Sequence, residues 1–130
     1  MIKIIAVDFD GTLTDDEYPG TTIKKEAVGV LLRFQKRGGR LILWTCRADG
    51  PLRAAVNACA REGLFFNSIN DHDPSSVKEW NEHGDSGFSK KVYADLYIDD
   101  KESHLFGEKL SWKRLDKFLE EDYTNSMALR

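Results

Sequence analysis

Cysteine is scarce in this chain: Cys46 and Cys59 are the only two among 130 residues. Their separation has no zinc-ligand pattern, so both are expected as reduced thiols in a core. Long apolar runs are also lacking, and none approaches the roughly 20 residues that a membrane span needs. Neither charge sign dominates, with 19 Lys+Arg against 22 Asp+Glu and a net charge of −3. That balance argues against a general polyanion-binding or membrane-surface role. The opening MIKIIAVDFD carries acids by position 8 and lacks the apolar length of a signal peptide, so the expected location is cytoplasmic. There is no internal repeat, low-complexity tract or interdomain linker.

What is present is a globular composition, 41% hydrophobic and 32% charged, in a length that suits one domain with one good core. Residues 1–123 are expected to form that domain and 124–130 a frayed tail. Ile4-Ile5-Ala6-Val7 is a continuous apolar run, the pattern of a strand buried on both faces of a parallel sheet. Pro19-Gly20 marks a turn, after which Thr21 or Thr22 is placed to cap a helix. That helix carries Val28, Leu31, Leu32 and Phe34 and stops at Gly38-Gly39. Arg40–Thr45 reads as a second buried strand, and strand–helix–strand within this length predicts a right-handed crossover. A helix over Leu52–Gly63, with Pro51 in its first turn, leads to a short third strand across Leu64–Ile69. Asn70–Lys91 reads as a long loop with a turn of helix near Val77–Trp80. Val92–Ile98 is a fourth strand. Ser111–Asp122 is a closing helix with Ser111 as cap and Trp112, Leu115, Phe118 and Leu119 on one face. The fold class expected is α/β: a Rossmann-like, mostly parallel sheet between helix layers.

Sheets of this kind carry their chemistry just beyond the carboxyl ends of the strands. Asp8 and Asp10 follow the first strand, Thr45 ends the second, and Asp99 and Asp100 follow the fourth. In an extended strand, residues two apart point to one side, so Asp8 and Asp10 are expected to face one volume. At roughly 4 Å and an effective dielectric of about 20, two such carboxylates repel by on the order of 4 kcal/mol. A cation, a lysine or a shared proton has to offset that. Asp-x-Asp-Gly is also ordinary turn chemistry, so this stretch alone leaves both readings open.

Together, DFDGTL, LWTCR and KVYADLYIDD resemble the motifs of the haloacid dehalogenase superfamily, most of whose members are magnesium-dependent phosphatases. The resemblance runs in the family's order across residues 3–101. It implies that Asp8 is the nucleophile and forms an aspartyl-phosphate. Asp10 is then the general acid, and afterwards the base toward water. Thr45 donates to the phosphoryl oxygens, and Lys91 neutralises charge; Lys90 is the alternative to Lys91. Magnesium, which favours hard oxygen ligands, takes Asp8, the Asp10 carbonyl and Asp99, with Asp100 supporting that set or replacing a member of it. Arg47 either reaches a substrate anion or serves locally at a helix end or in solvent. Asp95 and Lys101 read as surface or structural residues. His72, His83 and His104 lack metal-ligand spacing and read as loop or surface residues. Trp44, Trp80, Tyr93 and Tyr97 read as core or lid packing.

Only 32 residues separate Leu13 from Cys46, which leaves room for one crossover helix and no inserted cap domain. The chain thus resembles the minimal, capless members of the superfamily, similar to short phosphatases of capsule-biosynthesis loci and phage genomes. Its expected function is phosphomonoester hydrolysis, on a phosphorylated small molecule or on a bulky or macromolecular phosphoester. With no cap, either residues 70–90 close over the site as a small lid, or a second subunit of a homo-oligomer or the substrate itself covers it. Two rival readings share the fold. A receiver-like phospho-acceptor domain places its acidic pair first, opposite to the order here. A non-catalytic binding module is expected to have lost the nucleophile or the lysine, and both are present.

Overall fold

The structure, a computed structural model, describes residues 1–84, 87–101 and 109–129. Among them are four strands, β1 (Ile4–Val7), β2 (Arg40–Leu43), β3 (Ser68–Ile69) and β4 (Leu96–Ile98). Four helices accompany them: α1 (Lys25–Lys36), α2 (Asp49–Arg61), α3 (Pro74–Glu82) and α4 (Trp112–Ala128). The strands form one parallel sheet in the order β3-β2-β1-β4. His104 lies outside the described residues.

Alternation along the strands assigns the two sheet faces. Ile5, Val7, Leu41, Leu43 and Ile98 join the main core with Leu31 and Phe34 of α1, Ala55 and Cys59 of α2, and Trp112 and Leu119 of α4. Ile4, Ala6 and Ile42 face the other way and pack against Val92 and Ala94. Progress from β1 to β2 to β3 runs in one direction across the sheet, with α1 and α2 on the main-core face. The return from β3 to β4 runs the opposite way. A right-handed crossover must then pass over the other face, which is where α3 and residues 87–94 lie.

This second layer is thin and held by polar fasteners. The Nε2–H of His72 donates to the Ser89 carbonyl at 2.6 Å, and its Nδ1 accepts the Tyr93 N–H at 3.3 Å. The ring meets Trp80 edge-on, with centroids 4.9 Å apart. Asp73 caps α3 through the Ser75 N–H and pairs with Arg40 at 2.7 Å. At the amino end of β1, Asp95 accepts the N–H groups of Lys3 and Ile4 and the Tyr93 hydroxyl.

Several boundaries differ from those expected. Neither Thr21 nor Thr22 caps α1; the Thr22 N–H donates to Asp16, and the helix begins at Lys25 with no side-chain cap. β3 keeps two residues, and β4 keeps three because Val92 and Ala94 pack across the second face before the chain joins the sheet. Residues 74–82, expected as loop around one turn, form a nine-residue helix. Asp73-Pro74 supplies a capping residue with proline in the first turn, a start signal that outweighs its loop-like look. The expected tail at Thr124 is helical through Ala128, since neither glycine nor proline follows Asp122 to stop it. Asp122 also accepts the Ile2 N–H, which ties that helix to β1. Phe118 is exposed, and so is Cys46, while Cys59 is buried and its thiol is pushed up to about 12 by that burial.

Burial alone raises the Asp73 carboxyl, but hydrogen bonds from Arg40 and Ser75 prevail and hold it below the ordinary carboxylate value. A depressed folded-state value means stability present above the unfolded pKa, near 4, and lost as pH falls below it. Asp73→Asn keeps a capping residue but loses the charge. It is expected to cost about 2 kcal/mol in urea denaturation at pH 7, with the difference closing toward pH 3. A variant equally destabilised at both pH values contradicts the ion-pair assignment.

Candidate active site at the carboxyl ends of β1 and β4

The strand order reverses at β1, whose neighbours β2 and β4 receive crossovers from opposite faces. In open parallel sheets such a reversal opens a crevice outside the carboxyl ends, where ligands bind. The β1–β4 ladder sets Val7 opposite Ile98 and continues one step further, with the Asp8 N–H donating to the Ile98 carbonyl at 3.0 Å. That register carries Asp8 to Asp99 and Asp100. One carboxylate oxygen from each of these three acids lies within 4.8 Å of the others.

Asp8 feels this crowding. Its carboxyl is pushed up to about 6, first by burial and then by the charges of Asp99 and Asp10. A hydrogen bond from the Phe9 N–H and the positive charge of Lys101 act in the opposite direction. Three hard oxygen donors at this spacing fit a magnesium-sized cation, which keeps several of its own waters and needs few protein ligands. Thr12, fully buried, braces the group: its Oγ1 accepts the Asp100 N–H at 3.2 Å. Gly11 leaves the room. Its φ is +75°, and a Cβ there would stand 2.6 Å from an Asp100 carboxylate oxygen.

Asp10 is not part of that three-acid group, although its charge reaches Asp8. The strand ends at Val7, and the Phe9 carbonyl then gathers the N–H groups of Thr12, Leu13 and Thr14 into a tight turn. Phe9 is fully buried. The Asp10 carboxylate turns instead to Arg47, which forks onto it through Nε at 3.0 Å and Nη2 at 2.7 Å. Arg47 also donates to the carbonyls of Pro19, Gly20 and Pro51, so all five of its N–H groups are engaged. Its guanidinium lies between the rings of Phe9 and Tyr18, 4.5 and 5.1 Å from their centroids. Only 4% of the residue is exposed. The structure therefore places Arg47 as a clamp on Asp10 and the 19–20 turn, with no N–H left for a substrate anion.

Thr45 stands at the end of β2, with its N–H donating to the Asn70 side chain and its Oγ1 accepting the Arg47 N–H. The hydroxyl proton remains for an outside acceptor. Lys91 lies on the second sheet face, its Nζ 5.9 Å from the Tyr97 ring centroid. It lines a cavity of about 560 Å³ there with His72, Trp80, Phe88 and Tyr93. The lysine whose charge acts on Asp8 is Lys101, which the sequence alone presents as a surface or structural residue. The sequence alone gives Thr12 a place in DFDGTL but no role, and Asn70 neither. Thr12 had a signal, two places after Asp10 in the first motif; Asn70 lay in a stretch that offered none.

No protein-family model and no curated protein matches the chain. Among solved structures, the chain resembles a conserved protein from Bacteroides thetaiotaomicron. Identity is 35%, the alignment covers 94% of this chain and 93% of that one, and the TM-score is 0.76. The chain belongs to the same family as that protein. A hypothetical protein from Xanthomonas campestris aligns at 22% identity over 76% of this chain and 54% of its own, with a TM-score of 0.44.

A raised carboxyl in the folded state costs stability when ionised. The contribution of Asp8 is fully favourable below the unfolded value of 3.8 and is lost as pH rises through about 6. Asp8→Asn removes that ionisation, so it is expected to melt several degrees above the wild type at pH 8 without divalent cations. The gap should close by pH 4. A variant that melts below the wild type at pH 8 contradicts the crowded-carboxylate reading.

Proposed function

We propose that the protein is a magnesium-dependent phosphomonoester hydrolase of the haloacid dehalogenase type, working through an aspartyl-phosphate on Asp8. The observation that carries this reading is the convergence of Asp8, Asp99 and Asp100 at the strand-order reversal. The first-motif partner Asp10 stands beside them under separate control. Asp8, Asp99 and Asp100 are the residues that would hold magnesium. When bound, the ion supplies positive charge that keeps Asp8 ionised and offsets the charge of the incoming phosphoryl group.

The Asp8 carboxylate attacks phosphorus while the bond from phosphorus to the leaving oxygen breaks, and that oxygen takes a proton from Asp10. Water then attacks the aspartyl-phosphate, giving a proton back to Asp10 as the bond from phosphorus to Asp8 breaks. Such transfers depend mainly on positioning and charge stabilisation. Thr45 is placed to donate its hydroxyl proton to a phosphoryl oxygen, and Lys101 adds positive charge near Asp8. Both Asp10 oxygens accept from Arg47, whose fork fixes the carboxylate's orientation while each oxygen keeps a second lone pair for the proton. Arg47 thereby acts on the acid step without touching substrate. Among the described residues no helix is long and apolar enough to cross a membrane.

Hydrolysis of 4-nitrophenyl phosphate tests the proposal. The expected result is turnover that needs magnesium, disappears with EDTA and falls at least a thousandfold in Asp8→Asn. Turnover that survives chelation, or an Asp8→Asn variant of unchanged rate, overturns it.

A further inference from the structure

Asp10 has a second neighbour besides Arg47. A groove of about 430 Å³ opens on it, walled by Tyr18, Arg47, Ala48, Pro51 and the first residue of α2, Asp49. If Asp10 protonates a leaving oxygen, the group attached to that oxygen has to occupy space Asp10 can reach, and this groove supplies it. Its electrostatics are unusual for a protein that handles phosphate. The one cation in its wall, Arg47, is consumed within the protein: two N–H groups go to Asp10 and three to backbone carbonyls. What the groove presents to a ligand is therefore a carboxylate already neutralised by its clamp, and a second one that is not. Asp49 is exposed and makes no ion pair with a described residue. It is also held at φ +49°, a left-handed conformation that costs a residue other than glycine and recurs at functional sites. Tyr18, 59% exposed, also lines the groove, with Arg47 over its ring.

From this we infer that the groove receives the leaving group and selects phosphomonoesters of uncharged or cationic alcohols, with Asp49 rejecting leaving groups that carry a second anion. The exposed Tyr18 ring, with Ala48 and Pro51, suits a leaving group with an apolar face, and such a wall does not reward a charged one. Discrimination of this kind works by repulsion of the wrong ligand as much as by attraction of the right one. The inference rests on the phosphatase reading and narrows its substrate class.

The test compares two esters that differ by one charged group: glycerol 1-phosphate and 3-phosphoglycerate. The wild type is expected to favour glycerol 1-phosphate by about tenfold in kcat/KM, the scale of one like-charge contact at a partly solvated site. That ratio should shrink as salt is raised. Asp49→Asn keeps a side chain that tolerates left-handed backbone, and it should narrow the ratio at least threefold. Equal kcat/KM for the two esters in the wild type, a ratio insensitive to salt, or a preference that Asp49→Asn leaves intact each overturns the inference. If neither ester turns over, the phosphatase reading is decided separately by 4-nitrophenyl phosphate, and the comparison passes to the affinities of the two esters measured by calorimetry. There, a tenfold weaker 3-phosphoglycerate sustains charge selection and equal affinities sink it.

Discussion

The register between β1 and β4 is the constraint on which the site depends. Val7 opposite Ile98, continued by the Asp8 N–H on the Ile98 carbonyl, leaves no choice about which residues emerge together from the sheet. A slip of one residue would point the alternating side chains of β4 to the wrong faces, exposing Ile98 and burying Tyr97. Both cores therefore enforce the register: Ile5, Val7 and Ile98 on one face, Ile4 and Ala6 against Val92 and Ala94 on the other. Three carboxylates that repel one another are held within 4.8 Å by hydrophobic packing that has no stake in their charge. In the proposed reading this electrostatic cost is one that a bound cation would relieve.

The acids at the mouth are divided between two partners. Asp10 is neutralised inside the protein by Arg47, whose remaining donors fasten the turn at Pro19 and Gly20 and the start of α2. Among the described residues, Thr12 bonds to Asp100 and the positive charge of Lys101 acts on Asp8. The division suits the two tasks that the proposed phosphoryl transfer would set. One carboxylate must move a proton and benefits from a fixed orientation. The others must sit beside a highly charged phosphoryl group, which a cation makes tolerable.

Much of this was legible in the sequence, and the parts that were not share physical causes. The apolar runs of β1 and β2, the helices of the main core and the acids following β1 and β4 are local patterns, and local patterns survive translation into structure. The orientation of Asp10 is not local. The two-residue period holds only while a strand lasts, and β1 ends at Val7, so the chain has turned before Asp10. Arg47 was legible as a cation near the site, but its five acceptors come from Asp10, Pro19, Gly20 and Pro51, a set only the tertiary fold assembles. The second layer was the least legible because its fasteners are polar and far apart in sequence, as with His72 to Ser89 and Tyr93. Lys91 illustrates the consequence: it belongs to that layer, in the cavity beside Tyr97.

Calorimetric titration of the protein with magnesium chloride, at pH 6 and at pH 8, addresses the carboxylate cluster without reference to any substrate. The expected result is one ion per chain, bound more weakly at pH 6, because the Asp8 carboxyl is pushed up to about 6 and a protonated Asp8 must release its proton to bind. Asp99→Asn and Asp100→Asn should each weaken binding at least tenfold. Absence of binding at millimolar magnesium, or binding that persists unchanged in Asp8→Asn, Asp99→Asn and Asp100→Asn together, contradicts the reading of these three acids as a metal-dependent site.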